Sequence, residues 1–254
     1  MPPAAGSSDN APVSRPFRTA APYYARYRSA YPPELIAALV EATGVNRDAR
    51  VLDLGSGPGT VAIPLAAYAA EVVAVDAEPA MIAELRRAVP ANVTVVEGRA
   101  EDVDSSWGEF RLVTAGRAFH WFDAPRVFDR LVSISPVVAL LGEDSRDSEA
   151  QTLALQIAAE LTGRPVYDLP NPRYADLLRA SAFSDVEVLS AEVERTWTPQ
   201  ELIGLVYSTS SGSPERLAGR QAEFEERIRQ ELAPSYREWV TFDAVVGRAD
   251  SVSR

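Results

Sequence analysis

The chain has 254 residues, 25 basic and 36 acidic side chains, a net charge of −11 at pH 7, one histidine and no cysteine. The lack of cysteine excludes disulfides, thiolate metal sites and a cysteine nucleophile, and a lone histidine excludes a histidine-rich metal site, so no metal is expected. Every basic residue is arginine, which excludes Schiff-base chemistry on lysine, and the acidic balance argues against nonspecific binding of nucleic acid.

Residues 1–16 are rich in Pro, Ala, Ser and Gly and read as a flexible tail with no charged-then-apolar signal pattern. No run approaches the ~18 apolar residues of a membrane span, so no membrane partner is expected and the location read from the sequence is the cytoplasm. Residues 17–254 read as one domain. Within it, 17–44 form an N-terminal lid segment in which YYARYRSAY (23–31) is followed by a helix opened by Pro32-Pro33 and closed at Gly44. Short β-branched runs then alternate with helices. Strands are expected at 51–54, 71–76, 93–97, 110–115 and 137–141, with helices at 58–69, 79–89 and 124–133. That rhythm implies an α/β fold of the Rossmann-like, doubly wound kind: a mainly parallel sheet of seven strands with an antiparallel edge strand. Its ligands sit at the carboxyl ends of the strands. Beyond 141 the pattern changes. Residues 142–149 are polar and loop-like, 148–162 helical, 163–173 Pro-rich and irregular. A short helix (174–180), a strand (185–190) and helices at 199–207 and 214–232 follow, and 239–246 alternates like an edge strand. Segments 142–173 and 198–234 read as helical additions that cap the substrate side. The charged helix 215–231 reads as a solvated face.

The segment that carries chemistry is Val51-Leu52-Asp53-Leu54-Gly55-Ser56-Gly57-Pro58-Gly59-Thr60. Three glycines at alternate positions, after an apolar strand and before a helix, let the chain turn sharply and let a ligand approach the backbone amides. A dinucleotide fingerprint needs its third glycine at position 60, where Thr stands, so the spacing fits D-x-G-x-G-x-G better. Asp76 ends the next strand about 20 residues on, where a carboxylate accepts hydrogen bonds from ribose hydroxyls. The residues point to an adenosine-type ligand, and a tight structural turn is the bland alternative.

On VLDLGSGPGT, VVAVDAEPAMI, VEGRAEDV and AGRAFHWFD, the sequence resembles the class I S-adenosylmethionine-dependent methyltransferases. More narrowly, it resembles their small-molecule branch, the methyltransferase type 11 and trans-aconitate methyltransferase-like proteins. The resemblance implies S-adenosyl-L-methionine as cofactor and S-adenosyl-L-homocysteine as product. It implies that Gly55, Ser56 and Gly57 line the methionine part, that Asp53 braces that loop near the amino group, and that Asp76 binds the ribose. Ala77 and Met81 would flank the adenine, Ala100 and Glu101 would face its edge, and Gly116 and Arg117 would close over the methionine end. Relatives often carry Asp where Arg99 stands and Gln where Arg117 stands. A cation beside a sulfonium is unfavourable unless it points at a carboxylate, either the cofactor's own or an acidic substrate's.

Phe119-His120-Trp121-Phe122 follows the fourth strand, at the edge where a methyl group would emerge. As site residues, His120 is the candidate general base and, with Trp121, a wall of the acceptor pocket. The bland alternative is a packed aromatic cluster. Tyr23 and Tyr27 read either as substrate-side lid residues or as an amphipathic helix packed by aromatics. The function these readings imply is methyl transfer to a small organic metabolite by in-line displacement, with a monomer or homodimer as the assembly. The alternatives are a cofactor-binding protein of this fold that runs another reaction, such as a cyclisation, and a nicotinamide-binding module. Arg without Lys in an Ala- and Pro-rich chain suits a GC-rich bacterium, where such genes often tailor natural products.

Overall fold

A computed structural model describes residues 17–144, 148–163 and 173–249. The tail expected over 1–16, most of the irregular stretch expected over 163–173, and 145–147 and 250–254 lie outside the described residues. The strands are β1 (Arg50–Leu54), β2 (Glu71–Asp76), β3 (Val93–Glu97), β4 (Leu112–Gly116), β5 (Val137–Asp144), β6 (Asp185–Trp197) and β7 (Tyr236–Arg248). The helices are α1 (Ala21–Tyr27), α2 (Pro33–Thr43), α3 (Ala62–Ala66), α4 (Pro79–Leu85), α5 (Ala124–Leu131), α6 (Glu149–Thr162), α7 (Tyr174–Arg179), α8 (Pro199–Tyr207) and α9 (Gln221–Glu231).

The strands form one seven-stranded sheet in the order β3-β2-β1-β4-β5-β7-β6. The first five run parallel; β7 is antiparallel to β5, and the edge strand β6 is antiparallel to β7. The chain winds outward from β1 through β2 to β3, then returns to place β4 on the other side of β1. This reversal between β1 and β4 opens a crevice at their carboxyl ends, the usual ligand position in such sheets.

Burial on both faces explains why the central strands read as unbroken apolar runs. Val51 faces one hydrophobic cluster with α2 and α3, while Leu52 and Leu54 face a second one with α5 and α7. In β5, Val137, Ala139 and Leu141 alternate with Val138 and Leu140 in the same way. A third cluster joins α6, α8 and α9.

Several elements differ from the sequence expectation, among them β5, which continues to Asp144 through residues expected as loop. The segment expected as an edge strand at 239–246 lies inside the sheet as β7, paired on both sides. The edge position belongs to β6, which runs to Trp197 instead of stopping at Ser190. Its continuation Ala191–Arg195 conceals the strand because Glu192 and Glu194 interrupt the apolar pattern, while Ala191, Val193 and the charged Arg195 share the half-buried face. The long helix expected over 214–232 reduces to α9. Ala218 (φ 47°) and Gly219 (φ 90°) turn the backbone left-handed just before it and break helical continuity. Likewise α3 is shorter than the expected 58–69, because the glycine loop persists through Gly59 (φ 95°).

Candidate active site

The glycine loop leaves β1 at Leu54 and turns under the carboxyl end of β2. Ser56 donates its amide to Val75 O at 2.9 Å, and Gly57 donates its amide to Asp76 Oδ2 at 2.8 Å. The other Asp76 oxygen accepts the Glu78 amide at 2.8 Å. One carboxylate thereby ties the loop to the start of α4. Burial raises the Asp76 pKa above its ordinary value, against the lowering effect of the Glu78 and Gly57 amides.

Two glycines here are dictated by geometry. Gly55 has φ 63°, and a Cβ on it would stand 2.4 Å from Ala118 Cβ. Gly57 has φ 54°, but a Cβ there would meet nothing nearer than Met81 Sδ at 3.9 Å. Gly55 is bare because the loop packs tightly against the chain after β4. Gly57 is bare because its backbone borders open space.

That space is a cavity of about 320 Å³ at the carboxyl ends of β1, β2, β3 and β4. Gly55, Gly57, Asp76, Ala77 and Met81 form part of its wall. Ala100 and Glu101, after β3, form the next part, and Gly116, Arg117 and Trp121 another. Ser56 and Asp53 lie beneath the wall, both buried. The structure thus brings most of the residues expected at a cofactor site to one cavity. Tyr23, Tyr27 and His120 stand elsewhere.

Asp53 faces Thr114 across the β1–β4 switch, and the Thr114 hydroxyl donates to Asp53 Oδ1 at 2.7 Å. Burial pushes its pKa up to about 7, against the lowering effects of the Thr114 hydroxyl and the Ala62 amide. Glu101 is the contrasting carboxyl. Burial raises it, but the Asp123 amide at 3.1 Å and the charges of Arg99 and Arg126 hold it below its ordinary value.

Arg117 sits at φ 54°, a left-handed conformation uncommon for a side-chain-bearing residue. Its amide stays in the ladder by donating to Leu141 O at 2.9 Å. Its guanidinium turns back under the lid segment. Nη2 donates to Glu143 Oε2 at 2.5 Å and to Ser29 O at 2.8 Å, and the group lies over the Tyr31 ring at 4.6 Å. The carboxylate that the sequence reading required for Arg117 is therefore supplied, at least in part, by the protein itself.

Tyr23 and Tyr27 are four residues apart on α1 and share a face. Their rings stack at 6.4 Å, Tyr23 meets Tyr207 edge-on at 4.9 Å, and Tyr27 covers the bare backbone of Gly204 on α8. The packed-helix reading describes this face. The cavity instead receives Tyr24, one position round the helix, together with Phe17. Phe17 meets Trp121 edge-on at 5.6 Å and Tyr24 at 6.5 Å, so the start of the described chain closes over the cavity mouth.

His120 is exposed on the rim beside Trp121, ring centroids 5.2 Å apart, and is not part of the wall. The surrounding protein, then the nearby Arg28 charge, lower its pKa below the ordinary value. The imidazole is neutral at pH 7. None of the cavity wall comes from α6, α7, α8 or α9, so among the described residues the later helical additions support α1 without reaching the cavity.

Sequence reasoning missed Phe17, Tyr24, Glu78, Gly98 and Ala118, all on the wall, while Phe122 stands there as the reading of the aromatic cluster as a pocket wall expects. A signal for Tyr24 existed. YYARYR contains two i, i+4 pairs, Tyr23–Tyr27 and Tyr24–Arg28, and the purely aromatic pair is the one suited to a dry helix interface.

A methyltransferase-domain family model matches residues 51–138, the stretch that contains the glycine loop, Asp76, Glu101 and His120. An uncharacterized methyltransferase of Mycobacterium tuberculosis is 32% identical over 229 residues, covering 87% of this chain and 87% of that protein. The chain belongs to the class I methyltransferases that use S-adenosylmethionine. An uncharacterized methyltransferase of Mycobacterium bovis matches this methyltransferase equally well, at 32% identity and 87% coverage of each chain. At the level of fold, it is similar to an S-adenosylmethionine-dependent methyltransferase from Thiobacillus denitrificans, solved in complex with S-adenosyl-L-homocysteine. The TM-score is 0.53 at 15% identity, covering 93% of this methyltransferase and 99% of that chain.

The residues of the cavity suit the family's cofactor. A nucleoside needs acceptors for its ribose hydroxyls and a flat apolar slot, and Asp76 and Met81 border the same space. Gly57 leaves backbone open to the cavity, and the buried Ser56 Oγ has no hydrogen-bond partner within the protein.

Proposed function

We propose that this enzyme transfers a methyl group from S-adenosylmethionine to a small organic acceptor. The observation that carries the reading is the closure of the glycine loop onto Asp76 at 2.8 Å around a single cavity. In this reading Asp76 takes the ribose, Ala77, Met81, Ala100 and Glu101 border the adenine, and Gly55, Ser56, Gly57 and Gly116 line the methionine part. Asp53, held by Thr114, sits beneath the loop as the nearest buried carboxyl to a cationic amino group. When bound, the cofactor supplies an electrophilic methyl on a good, neutral leaving group, so the chain need not activate the departure.

What this chain contributes is then placement and exclusion of water. Phe17, Tyr24 and Trp121 narrow the mouth, which suits a compact acceptor and keeps solvent from competing. Holding two reactants in line supplies roughly 7–11 kcal/mol in favourable cases. For a hydroxyl or amine acceptor, His120 is the candidate to take the proton, since its imidazole is neutral at pH 7 and stands on the rim beside Trp121.

Calorimetric titration tests the reading. S-adenosylhomocysteine should bind one site per chain with micromolar affinity, and NAD should give no heat. NAD binding with no S-adenosylhomocysteine binding would overturn the reading. Mass analysis of products formed with a labelled methyl donor then identifies the acceptor.

A further inference from the structure

We propose that the edge strand β6 pairs antiparallel with β6 of a second copy of this chain, about a two-fold axis at Ala191, and so joins two sheets into one. β6 is 13 residues long and holds neither proline nor glycine. Its register with β7 is unbroken, and β7 is its only ladder partner among the described residues. Sheets that stay single usually blunt such an edge with proline, lysine, a bulge or a short strand. The opposite edge of this sheet, β3, is only five residues long. When β6 meets β6, both long edges are covered and the assembly closes at two copies, whereas β6 on β3 would propagate.

The strand's own sequence selects the register. Ala191 is the midpoint of Asp185–Trp197, so an axis there pairs the strand over its whole length, about 40 Å. One face then complements itself. Glu187 stands opposite Arg195 of the second copy, Leu189 opposite Val193, and Ala191 opposite itself. Leu189, Ala191 and Val193 already pack half-buried against the hydrophobic cluster of α2, so the pairing extends that core across the axis. Glu187 accepts from Arg248 at Oε2, 2.7 Å, and Arg195 donates from Nη1 to Ser29 Oγ at 2.6 Å. A second carboxylate oxygen and further guanidinium N–H groups leave both with capacity for each other. Centring on Ser190 instead sets Glu187 opposite Val193, and centring on Glu192 sets Arg195 opposite Leu189.

The other face supports the same register independently. Trp239 and Val188, 68% and 50% exposed, are the most exposed large apolar side chains among the described residues. Trp239 on β7 neighbours Glu194 on β6. The axis at Ala191 sets that Glu194 opposite Val188 of the second copy. Trp239 and the second copy's Val188 then stand two strands apart, about 10 Å, and an indole lying over the Glu194 stem spans the gap. The two-fold repeats this contact, so both exposed pairs are covered. Glu192 stands opposite Ser190, and the two exposed Glu192 carboxylates flank the axis on the side where water screens them. Because β7 and β5 separate β6 from β4, the pairing leaves both cavities open.

Analytical ultracentrifugation of the full chain from about 1 to about 100 μM should show a monomer–dimer equilibrium. Val188→Glu places a carboxylate against Glu194 and Glu192 of the second copy and should weaken the dimer by about tenfold or more, since the change falls twice across the axis. Val188→Arg removes the same apolar surface but meets those carboxylates with the opposite sign, so its dimer should be tighter than that of Val188→Glu. Val188 is half exposed in the single chain, so both variants should fold, which thermal melts at high dilution check. The chain has no cysteine of its own, so one introduced thiol reports the register. Ala191→Cys places it on the axis, with Cα atoms about 4.5–5.5 Å apart, and should give a covalent dimer on mild oxidation. Val188→Cys stands about 20 Å from its counterpart and should cross-link far more slowly. A chain that stays monomeric at about 100 μM, well above the affinity of a standard-size interface, overturns the proposal. Equal dimer strength in Val188→Glu and Val188→Arg, or equal cross-linking of Val188→Cys and Ala191→Cys, overturns it as well.

Discussion

The Gly57 amide and the Asp76 carboxylate meet at 2.8 Å, so the residue that closes the glycine loop also presents a carboxyl to the cavity. Asp76→Ala removes an acceptor from two backbone amides at once, those of Gly57 and Glu78. Each amide left unmet costs about 1–3 kcal/mol. The expected result is a loss of roughly 100-fold or more in S-adenosylhomocysteine affinity, corresponding to about 3 kcal/mol, together with a lower melting temperature. Asp76→Asn keeps an oxygen for one amide but turns an NH2 toward the other, so it should fall between. Calorimetry and thermal melts on the two variants check both parts. Wild-type affinity in Asp76→Ala would sink the assignment.

Gly55 and Gly57 should separate stability from binding. Gly55→Ala drives a Cβ to within 2.4 Å of Ala118 Cβ, a backbone-anchored contact that cannot swing away. It should cost about 1–3 kcal/mol of stability or more, as overpacking does. Gly57→Ala suffers only the left-handed φ of 54°, worth roughly 1–2 kcal/mol. Its methyl enters the cavity, so its larger loss should be in ligand affinity. Denaturant melts and calorimetry on the same samples distinguish the two. Equal affinity losses at equal stability would refute the division.

What the sequence made legible follows from how local each signal was. The β1–loop–Asp76 unit was readable because an apolar strand, three spaced glycines and a carboxylate at the next strand's end are local features, and the fold only joins them. The Thr198 capping box fixed α8 at its expected bounds. The order of β6 and β7 was not readable. Antiparallel pairing with β5 depends on long-range contacts, and the glutamates of β6 resemble those of a solvated helix. Nor was the partner of Arg117 readable, since Glu143 lies 26 residues away and meets it only because β4 and β5 pair in register. Tyr23 and Tyr24 show the finest limit. A one-residue step on α1 separates a packing side chain from a cavity side chain, and a run of tyrosines does not reveal the phase.

Asp53 should make ligand binding and stability depend on pH in opposite ways. Its pKa rises from 3.8 to about 7 on burial in the folded chain. The stabilising contribution is therefore fully present below pH 3.8 and is lost as pH rises through about 7. A cationic ligand favours the carboxylate, so cofactor binding should strengthen from pH 6 to pH 8 and release a proton near pH 6. Titrations at pH 6 in buffers of different ionisation enthalpy measure that proton directly. Asp53→Asn should abolish the release and flatten the pH dependence of stability over this window. Proton uptake in the wild type, or release that persists in Asp53→Asn, would contradict the assignment.

His120 should affect turnover and leave cofactor binding alone. It stands outside the cavity wall, so His120→Ala should bind S-adenosylhomocysteine as the wild type does. With a hydroxyl or amine acceptor, kcat should fall by about 10²- to 10⁴-fold, the usual worth of a positioned base. Because its pKa lies below the ordinary 6.5, the acid limb of the kcat profile should also lie below that value and vanish in the variant. A wild-type rate in His120→Ala removes the base assignment. That outcome is the one expected of a carboxylate nucleophile, which is already ionised at pH 7.

Glu143 should be worth more to the fold than either arginine it serves. Burial raises its pKa, but Arg117, Arg28 and Arg195 more than offset this and hold the carboxyl below its ordinary value. Glu143→Gln removes the negative charge and leaves two buried guanidiniums facing a neutral amide. Breaking a buried pair from one side costs about 3–5 kcal/mol, mostly as uncompensated charge. Arg28→Gln leaves Glu143 still paired with Arg117 at 2.5 Å and should cost far less. The double variant Glu143→Gln, Arg117→Gln returns the local charge to its wild-type value and should recover part of the loss, giving a coupling energy in a double-mutant cycle. Because the pair also anchors the lid segment through Ser29 O at 2.8 Å, hydrogen exchange at α1 should quicken in Glu143→Gln before exchange in β1 does. Additive single effects, or protection of α1 unchanged in Glu143→Gln, would show that the ion pair holds neither the charge nor the lid.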